Sequence, residues 1–480
     1  MAKANYALVT ALTLSATLGG LLFGYDTAVI SGAVNAIDVN FIDPRGLSEG
    51  ARNWLSGFTI GCALLGCVMG AALAGPLSTG IGRKGGLFVA ALLFFVSSLG
   101  SAFPEVLWSA FGARGADALW PFIGYRLLGG VAIGMASMLA PMYIAEIAPA
   151  KSRGLFVTMQ QIAIVGGINL VYYVNYLIQA RGDHAWLMST GWRYMLASAA
   201  LPAALLLVCM LLVPDTPRYL VMKGRIAEAL KLLQRLGGDD PAKTLKEIEG
   251  TLVVRNERIM KFGGLVLFVG IMLSVFQQFV GINAVLYYAP LMFENMGAST
   301  DSAFLQAVIV GAANTVFTLI AFFTVDILGR KPLLVIGALI MGAAMITLGV
   351  LFDRHAVGLW AVVAVVVYIA GFALSWGPVV WVLLAEIFPN SIKGKAMSLA
   401  VAAQWISNFL VTQTFKVLDG STALNAMFNH GLAYFLYGGA SILAALFVIR
   451  YVPETKGHSL EAIQLLWQNG RSAWAKKTTP

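Results

Sequence analysis

Asp26 stands inside an apolar stretch, Gly19-Gly20-Leu21-Leu22-Phe23-Gly24-Tyr25-Asp26-Thr27-Ala28-Val29-Ile30, and Arg126 stands inside another, Trp120 to Ala136. A carboxylate at the centre of a membrane-crossing helix costs about 2.5–3.5 kcal/mol. Such a residue is kept for what it does. A guanidinium that moves toward or away from a buried carboxylate changes which protonation state is favoured, so Asp26 with Arg126 has the makings of a proton site. The alternative is a static buried ion pair. A second set is uncharged: Gln161, Gln277, Gln278, Asn283, Asn314 and Gln404, together with Trp381 and Trp405, all within apolar stretches. Amides fork a donor and an acceptor onto adjacent hydroxyls, and an indole offers a flat face to apolar C–H groups. For one isolated amide, hydrogen bonding between helices, about 0.6–2 kcal/mol per contact, is the competing explanation. On an unbroken helix Gln277 and Asn283 would point about 120° apart. Their meeting on one ligand requires a bend near Gly281.

The elements that must position these residues are membrane spans. The chain has 480 residues, 59% hydrophobic and only 11% charged, with a mean hydropathy of +0.80, whereas soluble domains carry about a quarter charged residues. Apolar runs long enough to cross about 30 Å of hydrocarbon as helices recur throughout. We read twelve spans, at 8–35, 54–78, 86–104, 120–145, 155–180, 193–213, 262–293, 304–325, 332–352, 357–385, 394–415 and 432–452. Near-continuous hydrophobicity excludes a β-barrel, so the fold class is an all-α membrane protein. The expected domains are a six-helix bundle at 1–213, a linker with amphipathic helices at 214–261, a second six-helix bundle at 262–452 and a tail at 453–480. The net charge of +9 invites comparison with nucleic-acid binders, but about 24 of the 32 Lys and Arg fall in one alternate set of loops and the termini. This positive-inside pattern puts both termini in the cytoplasm and implies a lipid-bilayer partner without nucleic acid. No cleavable signal is expected, because the first apolar segment is too long and contains Asp26. Cys62, Cys67 and Cys209 fall inside spans and indicate neither a disulfide nor a metal site. His184, His355, His430 and His458 lie in predicted loops or termini, and no phosphate loop or nucleophile motif accompanies them. An enzyme, an ATP-driven pump and a cofactor are therefore not expected.

The two halves echo each other. Gly82-Arg83-Lys84 follows the second span as Gly329-Arg330-Lys331 follows the eighth, and Ala145-Glu146-Ile147 closes the fourth as Ala385-Glu386-Ile387 closes the tenth. Arg153-Gly154 and Lys393-Gly394 come next, and Pro214-Asp215-Thr216-Pro217-Arg218 answers Pro453-Glu454-Thr455-Lys456-Gly457. Repeated halves with glycine- and proline-broken helices in corresponding places, here the first, fourth, seventh and tenth spans, point to alternating access around a midplane site. Tight packing through small residues is the alternative for any single glycine.

With Gly24-Tyr25-Asp26-Thr27-Ala28-Val29-Ile30-Ser31-Gly32, Pro214-Asp215-Thr216-Pro217-Arg218, Gln277-Gln278-Phe279-Val280-Gly281-Ile282-Asn283 and Pro453-Glu454-Thr455-Lys456-Gly457, the chain resembles the sugar porter family of the major facilitator superfamily along nearly its full length. Bacterial D-xylose/proton symporters are the nearer likeness and facilitative glucose carriers the more distant. The resemblance implies twelve transmembrane helices in two pseudo-symmetric bundles, an inner-membrane monomer, and a monosaccharide and a proton as partners. It implies proton coupling through Asp26 and Arg126. It implies sugar contacts from Gln161, Gln277, Gln278, Asn283, Asn314, Trp381, Gln404 and Trp405, with Phe23, Tyr287 and Gly377 lining the same cavity. It also implies a cytoplasmic gate of Arg83, Lys84, Glu146, Arg153, Asp326, Arg330, Lys331, Glu386 and Lys393; topology signalling and solvation are the plainer explanation of those charges. Three departures matter. Ile168 replaces a glutamine of the xylose symporters and matches the glucose carriers, Ala199 stands where the symporters carry an acid, and Thr79-Gly80 replace an acid and a base in the first gate copy. The expectation is proton-coupled uptake of a pentose or hexose, with an uncoupled facilitator second and a transporter-like sugar sensor as a different class.

Overall fold

The computed structural model describes residues 5–106, 108, 110, 114–149, 152–237, 240–251, 264–356, 358–389 and 392–456. Among them every regular element is helical, as expected where backbone groups must satisfy one another without water. The elements that carry the argument are α1 (Tyr6–Val29), α2 (Glu49–Gly80), α3 (Gly82–Ala102), α4 (Leu119–Ile147), α5 (Arg153–Gln179), α6 (Ala200–Leu212), α7 (Ile226–Leu236), α8 (Gly264–Phe279), α9 (Ile282–Tyr287), α10 (Ala289–Asn295), α11 (Thr300–Leu328), α12 (Arg330–Asp353), α13 (Leu359–Leu374), α14 (Trp376–Ile387), α15 (Lys393–Asp419) and α16 (Leu432–Tyr451). Among the described residues, eleven helical stretches are long and apolar enough to cross a membrane. The remaining expected span is α15, which has 27 residues but carries Gln404, Ser407, Asn408, Thr412 and Gln413, all buried. It has the length of a span, and its polar face lowers its hydropathy.

The chain forms two compact units. One comprises residues 1–33, 62–174 and 190–255. Its α2–α4 crossing is a seam of small residues: a Cβ on Gly130 would lie 1.8 Å from the carbonyl of Ala63, and one on Gly70 would lie 2.0 Å from that of Val131. The backbones touch because no side chain intervenes, which is how helices associate where no hydrophobic drive separates them from lipid. In the same unit α7 buries Ala229, Leu232, Leu233 and Leu236, and the Leu236 carbonyl accepts the backbone N–H of Asn5 at 2.9 Å. The apolar face of this amphipathic helix is thus covered by protein.

The second unit comprises residues 34–61, 175–189 and 256–480. Its seventh span is three helices, α8, α9 and α10, separated at Gly281 and Tyr288. Gly281 has φ +95°, and a Cβ there would enter the Tyr437 ring at 2.5 Å, so both conformation and space demand glycine. The Tyr368 hydroxyl donates to the freed Val280 carbonyl at 2.8 Å. Its tenth span breaks at Ser375, between α13 and α14, two residues ahead of Gly377-Pro378.

In the connection after α15, His430 Nδ1 lies 2.8 Å from Asp419 Oδ1, and Asn429, beside it, pairs with His355 at 2.9 Å. The hydrogen bond to Asp419 holds the His430 pKa above its usual value, against the opposing effect of burial. A folded-state pKa above the unfolded one, about 6.5, gives stability that is complete below the unfolded pKa and is lost as pH rises through the folded one. We expect the melting temperature of the detergent-solubilised chain to fall over that window, and His430→Gln to remove the difference between pH 6 and pH 8. A pH dependence identical in the variant would contradict this.

Candidate functional site

In the first unit, α1 and α4 bring Asp26 and Arg126 together, each with 3% of its surface exposed. Arg126 Nη1 donates to Asp26 Oδ1 at 3.1 Å and to Oδ2 at 3.3 Å. Small residues make the room: a Cβ on Gly129 would lie 2.5 Å from Ser97 Oγ and 3.6 Å from Asp26 Oδ2. Arg126 Nε has no hydrogen-bond partner, and both bonds to Asp26 come from Nη1. The neighbouring Tyr25 hydroxyl pairs with Ser198 Oγ at 2.7 Å, and Ala199 is buried next along the chain without a charge to offer. A Cβ on Gly24 would meet the Ile164 carbonyl at 1.9 Å and the Ile168 backbone nitrogen at 3.1 Å. Two residues before Asp26, α1 is thus pressed onto the part of α5 that carries Ile168. Ile168 is buried, while Phe23 and Gln161 are partly exposed.

In the second unit the break at Gly281 lets the α8 and α9 amides converge. Asn283 Nδ2 donates to Gln278 Oε1 at 2.5 Å, and Gln278 Nε2 reaches Gln277 Oε1 at 3.5 Å. Gln404 Nε2 on α15 donates to the same oxygen at 2.7 Å. Gln277 Nε2 in turn donates to the carbonyls of Trp376 and Gly377, at 2.9 and 3.3 Å. Four amides from three helices and two carbonyls in the first turn of α14 therefore form one connected set. Gln404 Oε1 is buried with no hydrogen-bond partner, an acceptor suited to a ligand hydroxyl. Asn314 is buried on α11 and Trp405 on α15, and Trp381, one turn beyond Gly377, is partly exposed.

Two partners escaped the sequence reading. The Tyr287 hydroxyl accepts from Asn408 Nδ2 at 3.2 Å, and Asn408 Oδ1 accepts from Thr412 Oγ1 at 3.3 Å. Asn408 is 2% exposed. The spacing Gln404, Asn408, Thr412 puts three polar groups on one helical face inside a span, a signal that could have found it. The Trp376 carbonyl is backbone and has no residue-type signature.

The repeated charges occupy equivalent geometries. Arg83 Nη2 lies 2.7 Å from Glu146 Oε1, and Arg330 Nη2 lies 3.0 Å from Glu386 Oε1. Lys84 Nζ reaches the Leu211 carbonyl at 3.4 Å as Lys331 Nζ reaches that of Ile449 at 2.9 Å. Glu454 accepts the backbone N–H groups of Arg330 and Lys331 at 3.1 and 3.0 Å, closing the orphan donors at the start of α12. A Cβ on Gly329 would strike it at 2.8 Å, and one on Gly82 would strike Asp215 at 2.9 Å. Burial raises the Asp215 pKa against the opposing charges of Lys84, Arg225 and Arg83. Arg153 is exposed at the start of α5, burial lowers the pKa of Lys393, and the side chain of Asp326 lies outside the described residues.

Comparison with known proteins converges on one family. The family profile described as "Sugar (and other) transporter" matches residues 12–467. The D-xylose-proton symporter of Escherichia coli is 48% identical over 97% of this chain and 96% of its own length. The glucose facilitated diffusion protein of Zymomonas mobilis is 46% identical over 97% and 99%. Among solved structures, the inward open conformation of the xylose transporter XylE from E. coli aligns with a TM-score of 0.86 at 46% identity, covering 96% of this chain and all of that one. At such likeness the twelve-helix major facilitator fold holds for this chain, and it is a multi-pass membrane protein of the sugar (and other) transporter family.

Proposed function

We propose that this chain couples inward proton flow to uptake of a monosaccharide, D-xylose or a hexose such as D-glucose, by alternating access. In this reading the six-helix bundles at 1–213 and 262–452 rock about the site, 214–261 links them, and the chain works as a monomer in the cell inner membrane with both termini cytoplasmic. The observation that carries coupling is the Asp26–Arg126 pair, a buried carboxylate held by one guanidinium nitrogen. Protonation of Asp26 removes the attraction that holds Arg126, and α1 and α4 then gain freedom to move apart. The amide set around Gln277 supports the choice of a polyol, because it offers neutral forked donors and acceptors without a charge. Gln161, Ile168, Asn314, Trp381, Trp405, Phe23, Tyr287 and Gly377 complete the proposed lining. The Arg83–Glu146 and Arg330–Glu386 clusters, with Lys84, Arg153, Asp326, Lys331 and Lys393, form the proposed cytoplasmic gate.

One observation favours a second reading. Ile168 and Ala199 lack the polar groups expected of a xylose/proton symporter, and a relative of 46% identity is named for facilitated diffusion; an uncoupled facilitator is that alternative. Proteoliposomes separate the two, using labelled D-xylose and D-glucose with and without an imposed proton gradient. Coupling gives accumulation above the external concentration only with the gradient. Equilibration to the external concentration under both conditions would replace it with the facilitator.

A further inference from the structure

Asp38 and Lys416 form a buried ion pair that the proposed proton and sugar sites leave unused. Lys416 Nζ lies 2.9 Å from Asp38 Oδ2, with the side chains 7% and 6% exposed. Ser56 Oγ donates to the other carboxylate oxygen at 2.5 Å. Arg52, at 4.0 Å from Asp38, is engaged mainly with Asp43 at 2.6 Å. Lys416 stands in the last turn of α15, while Lys393 opens it, so the two are about 35 Å apart along the axis. The pair therefore lies toward the end of α15 opposite Lys393, whose neighbour is Glu386 of the Arg330–Glu386 pair.

Its position in the fold is unusual. Helix α2 is continuous, yet residues 49–61 group with residues 256–480 while residues 62–80 belong to the other unit. Residues 34–61 and 175–189 are thus ends of first-half spans seated on second-half helices. Beside an apolar contact between Phe58 and Phe409, polar contacts seat them: Asn35 donates to Glu294 at 2.9 Å, Gln413 to the Trp54 carbonyl at 2.8 Å, Thr422 N to Glu49 at 2.9 Å, and Gln179 to Asp301 at 2.5 Å. A permanent core gains nothing from a buried ion pair over apolar side chains of the same size, and the best-attested use of such a pair is registry or switching. Charged and amide groups can be parted and rehydrated, whereas an apolar seam exposed to water resists opening.

We propose that Asp38–Lys416 is the ionic latch of the gate at the end of α15 remote from the Arg330–Glu386 pair, holding residues 34–61 on α15 while that side is shut and parting when it opens. This rests on the alternating-access reading. The two residues position the gate and touch no sugar.

The test is hydrogen–deuterium exchange on the full-length chain in lipid nanodiscs, comparing wild type with Asp38→Asn, Lys416→Met and the exchanged pair Asp38→Lys/Lys416→Asp. Each single change leaves one buried charge without its partner. Exchange in peptides covering 34–61 and 410–422 should then rise about tenfold or more, while α3, α12 and α13 keep their wild-type protection. The exchanged pair should restore protection. Unchanged exchange in those peptides, or an increase spread evenly over all helices, overturns the latch. If neither single variant folds, the exchanged pair decides: wild-type protection of 34–61 supports the latch, and loss of it overturns it. Counterflow of labelled D-xylose by the wild type, measured separately, reports on the transport reading itself, since exchange requires no sugar.

Discussion

Asp26→Asn should abolish uphill sugar accumulation while leaving sugar exchange intact. A potential of about 100 mV gives one proton about 2.3 kcal/mol, which for one proton per sugar supports an accumulation of about fortyfold. Asparagine keeps the shape and hydrogen-bonding capacity of the side chain but cannot carry the proton, so that ratio should fall to about one. Counterflow between equal sugar pools needs only the conformational cycle and should stay within about threefold of wild type. The substitution also leaves Arg126 buried without its counter-charge, a loss that ranges up to about 3–5 kcal/mol. The variant should melt at a lower temperature, and a second change, Arg126→Gln, should recover part of the loss because no unpaired charge remains. Accumulation by Asp26→Asn that still follows the proton gradient would remove Asp26 from the coupling step. Absence of accumulation in both wild type and variant, with counterflow present in each, would instead mark a facilitator.

The span pattern and the repeat were legible because both are statements about composition and spacing. Even α15, the least apolar span, was read as one from its length and its place in the six-plus-six plan; the side chains that depress its hydropathy include Gln404, which joins the amide set. The bend at Gly281 could be argued from two amides needing to meet, and the structure supplies it through a residue at φ +95°. The tenth-span break falls at Ser375, directly after Leu374, whose carbonyl finds no N–H four residues on because that residue is Pro378, and Gly337 packs close against it, where a Cβ would strike Ser375 Oγ. Asn408 shares a helical face with Gln404 and Thr412, but what it serves shows only with its partner Tyr287, 121 residues earlier. Asp38 and Lys416 are farther apart still, and only the tertiary fold buries them against each other. Local periodicity carries no information on such pairs.

Gln277→Ala should cost more sugar affinity than any other single amide change, because Gln277 is the hub of the set. Its oxygen accepts from Gln404 at 2.7 Å and from Gln278 at 3.5 Å, and its nitrogen donates to the carbonyls of Trp376 and Gly377. Truncation removes one ligand-binding group and also frees the Gln404 and Gln278 side chains to rotate, so the loss exceeds one hydrogen bond at about 0.5–1.5 kcal/mol. Two or three such contacts compounded give about a hundredfold rise in Kd for D-xylose. Asn408→Ala, which releases the Tyr287 hydroxyl and leaves the hub untouched, should raise Kd by about tenfold at most. Equilibrium binding of labelled sugar to the purified chain measures both, with melting temperature recorded beside it to separate loss of the site from loss of the fold. A Gln277→Ala variant that melts like wild type and binds sugar as tightly would mean that the amides serve helix packing, and the sugar site would have to lie elsewhere in the chain. The converse result, weak binding by a well-folded variant that melts like wild type, would assign Gln277 to recognition and leave coupling to Asp26. A charge among the sugar hydroxyls would bind water and ions in competition with them, which is a physical reason for the set around Gln277 to be made of uncharged amides.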